Sequence, residues 1–146
     1  MHTIKGQGEC LNSLLRGELA AVETYQQALA KVDNQAGTSE LRRIHDEHRE
    51  AANTLRQCVH KHGGKPDHGS GSWGAFAKAV EGTARLFGNA AALKALKEGE
   101  EHGVKTYEAA LEDKELSPDC KELIRTTLLP RTRAHVPVLD HLLNAK

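Results

Sequence analysis

Aromatic residues are scarce in this 146-residue chain: one Trp, two Tyr and two Phe, alongside four Pro and three Cys. Leu and Ala dominate the apolar residues instead, a mix that suits helices packed closely through small side chains. No apolar run is long enough for a membrane span, and "MHTIKGQGEC" lacks the apolar centre of a signal peptide. An excess of one charge is also missing, since twenty basic residues balance twenty acidic ones and neither sign forms a run. Neither a nucleic-acid nor a membrane partner is expected, and a homo-oligomer is the one assembly left open. Cys10, Cys58 and Cys120 are odd in number and show no CxxC spacing, which reads as free thiols in a reducing cytoplasm. A phosphate loop, a Ser-His-Asp set and a nucleotide fingerprint are all absent.

What is present is helical periodicity. The length predicts one domain, 1–146, and four amphipathic segments are expected at about 9–32, 40–62, 90–113 and 118–144. Ser39 is the expected N-cap of the second, and Gly63-Gly64 its terminator. Ser117 and Pro118 suit the start of the fourth, which Pro130 and Pro137 should kink or interrupt. Residues 63–89 form a connection too long for an ordinary helix-to-helix turn, with a short helix expected at Trp73 to Leu86.

One residue breaks the pattern. In "GELAAVETYQQAL", Leu11, Leu14, Val22, Tyr25 and Leu29 form an apolar stripe whose centre is Glu18. Burying a carboxylate there is costly unless it is paired, hydrogen-bonded or metal-bound. The same oddity returns 82 residues later, where residues 93–112 align without a gap on residues 11–30. Leu11, Leu14, Gly17, Glu18, Val22, Thr24, Tyr25, Ala28 and Leu29 recur as Leu93, Leu96, Gly99, Glu100, Val104, Thr106, Tyr107, Ala110 and Leu111. A weaker repeat at a shift of 87 matches Leu41, His48 and Leu55 with Leu128, His135 and Leu142. Each helix therefore places one polar residue at the centre of its apolar face: Glu18, His48, Glu100 and His135.

Two carboxylates and two imidazoles converging in a helical bundle make an N/O ligand set suited to iron, manganese or zinc. His45, one turn before His48, can add a fifth ligand. Tyr25 and Tyr107 stand two turns beyond the glutamates as candidate hydrogen-bond donors to them. The alternative is a metal-free network that only sets helix register, in which Arg131 neutralises a glutamate. His60, His62 and His68 read as a solvated loop.

The glutamates on helices one and three, the histidines on helices two and four, the duplication and the long middle connection together resemble the ferritin-like superfamily. Within it, "GE…V.TY..AL" and its second copy resemble a bacterial family of stand-alone ferritin-like bundles of unknown function. The resemblance implies an all-α four-helix bundle, with a crossover between helices two and three, and a role in stress or metal handling. On that path all three cysteines share one end of the bundle, whereas a simple up-down-up-down path sends Cys120 to the other. The chain departs from the superfamily's Glu-x-x-His pairs, carrying His45-x-x-His48 and Thr132-x-x-His135. Two carboxylates of a usual di-iron oxidase or ferroxidase centre are thus missing. Glu47, Glu50 and Asp140 fall off the stripes and do not replace them. Counting rise from the loops puts Glu18 level with His48 but His135 deeper than Glu100.

Overall fold

The computed structural model describes residues 4–31, 37–67 and 89–144, and all the regular structure among them is helical. Helix α1 (Ile4–Lys31) is followed by α2 (Thr38–Lys61) and α3 (Asn89–Leu111). A fourth arm consists of α4 (Pro118–Leu123), a π turn (Ile124–Leu128) and α5 (Leu129–Asn144). The expected helix over Trp73 to Leu86 lies outside the described residues.

The helix ends follow from local chemistry, with one correction. Gly37, not Ser39, precedes α2: its φ of +112° suits a residue without Cβ, and its carbonyl accepts the Leu41 N–H at 2.9 Å. The helix therefore starts ahead of Ser39, whose hydroxyl donates to Glu40 inside the first turn. At the far end Gly63 takes φ +83°, Gly64 N–H bonds the Val59 carbonyl and Gly63 N–H bonds that of His60. That pair of bonds is a Schellman stop. Ser117 does cap α4 in position, with Pro118 in the first turn, but its hydroxyl turns to Asp119 rather than to the backbone.

Neither proline interrupts the fourth arm. Pro137 sits within α5, which runs on to Asn144. Ahead of Pro130 the chain widens into the π turn, where Leu129 N–H reaches back five residues to the Ile124 carbonyl. A wide turn of this kind absorbs the bond that proline cannot make and relieves its ring from the preceding turn. It also takes up an extra residue. His135 accordingly meets Glu100 instead of lying deeper, as rise counting expected.

Paired contacts give the direction of each helix. Glu18 meets His48 while Asn12 meets Lys65, so α1 and α2 are antiparallel. Glu108 with Arg133 and Lys97 with Asp140 make α3 and α5 antiparallel. Tyr25 with Glu100 and Cys10 with Asp113 do the same for α1 and α3. Glu47 with His135 and Lys61 with Asp119 set α2 against the fourth arm.

The apolar core splits into two clusters with the polar layer between them. The larger contains Leu11, Leu15, Leu55, Val59, Leu116 and Ile124; the smaller contains Tyr25, Leu41, Ile44, Leu96 and Leu139. Each fully buried Leu or Ile contributes about 1.5–3 kcal/mol over an exposed one. Those clusters hold the four polar residues in register.

Candidate metal centre

Glu18, His48, Glu100 and His135 are each at most 6 % exposed and touch one another in a chain. His48 Nδ1 lies 3.1 Å from both Glu18 oxygens, and its Nε2 lies 2.7 Å from Glu100 Oε2. The other Glu100 oxygen is 3.0 Å from His135 Nδ1. Beyond that, His135 Nε2 meets Glu47 Oε1 at 2.7 Å. Carboxylates and imidazoles thus alternate from Glu18 to Glu47 through the middle of the bundle.

Glu100 is the hub. It faces both imidazoles and also accepts the Tyr25 hydroxyl at 2.5 Å, so Tyr25 serves the glutamate of the opposite repeat, not its own. The Tyr25 ring stacks on His48 with centroids 5.5 Å apart, and the two imidazoles lie 4.9 Å apart. Burial pushes the Glu100 carboxyl up, but the neighbouring His48 and His135 outweigh it and bring the pKa down to about 2. Burial likewise opposes a charge on His48. The carboxylates of Glu100 and Glu18 overcome that and hold it well above an ordinary histidine. Burial and the Glu100 charge push Tyr25 up, which keeps it a donor.

The remaining sequence candidates fall elsewhere. Tyr107 is buried, and burial followed by the nearby Glu18 charge pushes its pKa up. Its hydroxyl nevertheless makes no hydrogen bond of acceptable geometry. His45 is buried too, but its Nδ1 faces the adjacent Asp46 at 3.0 Å and its Nε2 is unpartnered. Arg131 pairs with Glu50 at 3.4 Å and hydrogen-bonds neither buried glutamate. Its place one turn before His135 puts it on the rim, where a long cation keeps its head in water.

Glu47 is the residue that sequence reasoning missed. It does point away from His48 on its own helix, as the spacing requires, but that direction faces His135 on the fourth arm. The bond to His135, against some burial, lowers its pKa. The available signal was an asymmetry of the repeat: at a shift of 87, Glu47 corresponds to Ala134.

The donor atoms of His48, Glu100 and His135 all lie within 4.8 Å of one another, so this buried group is placed to hold a metal ion. A cavity of about 50 Å³ opens beside it, lined by Glu18, Thr24, Tyr25, His48, Glu100 and Thr132 among others. That is room for an ion or a water. Thr132, at the site of the expected carboxylate, turns its hydroxyl to the Leu128 carbonyl at 2.9 Å and so leaves this space open.

No curated protein and no solved structure matches the chain. A family model does, over residues 8–113, which span the first repeat, α2 and the whole of the second repeat. With that match covering most of its length, the chain belongs to the family described as Domain of unknown function (DUF2383).

Proposed function

We propose that this protein is a ferritin-like bundle that holds a single transition-metal ion, iron, manganese or zinc, and acts in metal handling. The observation that carries the reading is the convergence of one donor atom each from His48, Glu100 and His135 within 4.8 Å, all three residues buried, with His48 Nε2 and His135 Nδ1 facing the two oxygens of Glu100. Two imidazoles and one carboxylate are a donor set for these metals. Glu18 and Glu47 then grip the far nitrogens of the two histidines, an arrangement that fixes ring orientation and tautomer for ligation. Glu18 is in this reading an orienting residue rather than a ligand. A pair of metals would need further bridging carboxylates, and among the described residues only Glu100 bonds both imidazoles.

Ferritin-like connectivity is supported by the helix directions, since α1 is antiparallel to both α2 and α3. The thiols add support: Cys10 and Cys58 both lie near Cys120, as that path requires. A metal-free reading has its own observation, because every ring nitrogen of His48 and His135 already faces a carboxylate.

Elemental analysis decides between them. Untagged protein grown with added iron, manganese and zinc should carry about one equivalent of metal that is lost in Glu100→Ala and in His48→Ala. Wild-type protein whose metal content equals that of both variants overturns the proposal. The network reading then requires that leucines in place of the polar layer hold or raise the melting temperature.

A further inference from the structure

A different chemistry gathers at the end of the bundle where α2 stops and α4 starts. Cys58 and His62 stand four residues apart on α2, and so share one face. The Schellman turn at Gly63-Gly64 holds His62 as the last residue of that face. Opposite them, Pro118 opens α4 and sets Asp119 and Cys120 in its first turn. The donor atoms of His62, Asp119 and Cys120 all come within 4.8 Å of one another. His62 Nε2 is 3.3 Å from Asp119 Oδ2, and the Cys58 thiol stands next to that of Cys120.

We infer that His62, Asp119 and Cys120 form a second metal site, for a borderline-soft divalent ion such as zinc, with the neighbouring Cys58 thiol as its fourth ligand. The set holds two sulfurs, an imidazole and a carboxylate, all accepted by tetrahedral zinc, whereas the buried centre offers no sulfur. Cys120 is buried at the base of the site, while His62 and Asp119 remain partly exposed and leave a path from solvent. Lys61 now holds Asp119 at 2.8 Å, but its side chain is long and exposed and withdraws when an ion takes the carboxylate. The Ser117 hydroxyl, bonded to the other Asp119 oxygen, keeps that carboxylate turned toward His62. Cys10, at the same end, faces Asp113 and is not among the clustered donors. The inference does not depend on the buried centre binding metal.

Cobalt(II) is the probe, added to fully reduced, untagged protein. A thiolate ligand gives a sulfur-to-cobalt charge-transfer band that an N/O centre cannot produce. The band is expected at one equivalent, to be bleached by one equivalent of zinc, and to persist in Glu100→Gln. It should vanish in Cys120→Ser, whose helicity is checked by circular dichroism. His62→Ala changes a partly exposed residue at a helix end and keeps the test valid if Cys120→Ser unfolds. That variant should weaken zinc binding by roughly a hundredfold or more, since even the outer partners of a ligand are worth about 10- to 100-fold. No thiolate band in the reduced wild type overturns the site, and so does a band with unchanged affinity in His62→Ala.

Discussion

Glu18 and Glu100 occupy equivalent places in two copies of one sequence, yet they do different work. In both halves the histidine of the following helix turns its Nδ1 to the repeat's glutamate: His48 to Glu18, and His135 to Glu100. The far nitrogens break the symmetry. His48 Nε2 crosses to Glu100, whereas His135 Nε2 turns to Glu47 rather than to Glu18. The tyrosines follow suit less sharply: Tyr25 donates to Glu100, whereas Tyr107 faces Glu18 without a hydrogen bond of acceptable geometry. One substitution accounts for much of this, because helix two carries Glu47 where the fourth arm carries Ala134. A duplicated sequence has thereby become an asymmetric centre with a single hub.

The largest test of that asymmetry compares the two glutamates. Glu100→Ala leaves two buried imidazoles and a tyrosine hydroxyl without their shared acceptor, and should cost about 3–5 kcal/mol. Glu18→Ala leaves His48 still paired with Glu100 and should cost about 1–3 kcal/mol. Denaturant unfolding of both variants reads the difference, and equal losses would mean the halves are symmetric after all.

Glu47→Ala comes next. It should cost about 1.5–3 kcal/mol, the range for a hydrogen bond to a charged group, although Glu47 is only partly buried. Where metal is bound, its affinity should fall about 10- to 100-fold, because His135 loses the partner that orients it. An Ala134→Asp change, on the equivalent but exposed position, should by contrast leave both readouts nearly unmoved.

Acidity tests the hub without mutation. The pKa of Glu100 is depressed on folding, so its contribution is complete above the ordinary carboxyl value of 4.5 and lost as pH falls toward about 2. That of His48 is raised, so its contribution is complete below 6.5 and lost as pH rises through the folded value. Metal-free protein should be most stable between about pH 4.5 and 6.5, and melting temperatures across that range check it. In Glu100→Gln both slopes should flatten. A bound ion reverses the upper trend, since ligation needs deprotonated imidazole and tightens as pH rises.

The smallest effect of all is expected at one of the two tyrosines. Tyr25→Phe removes a hydroxyl that donates to a buried carboxylate and should cost about 1.5–3 kcal/mol. Tyr107→Phe removes a buried hydroxyl that faces Glu18 without a well-formed hydrogen bond and should be nearly neutral. Calorimetry on the pair is enough, and a costly Tyr107→Phe would restore the symmetric picture.

How legible the centre was depended on which geometry each residue obeys. Glu18, His48, Glu100 and His135 could be read as stripe centres because helical periodicity alone puts them among leucines. Glu47 could not, since its angle from His48 says nothing about a neighbour two helices away. Arg131 and His45 were ambiguous for a related reason. Each lies near the stripe's edge, where a small rotation decides between the core and the rim, and that rotation belongs to packing. The end cluster was hidden differently. Its two halves are separated by 57 or more residues, and only the spacing of Cys58 and His62 hinted at a shared face.

The sequence by itself determined that four helices form, that each centres one Glu or His on its apolar face, and that a duplication lies behind two of them. Local chemistry suffices for this, because apolar period, capping and glycine stops act within a few residues. Which imidazole meets which carboxylate was decided only by tertiary structure. Register and rotation between helices follow from how two separate apolar clusters pack, with the π turn before Pro130 helping to bring His135 level with Glu100. The opening glutamate pattern was local, but its division into a hub and an orienting partner was not.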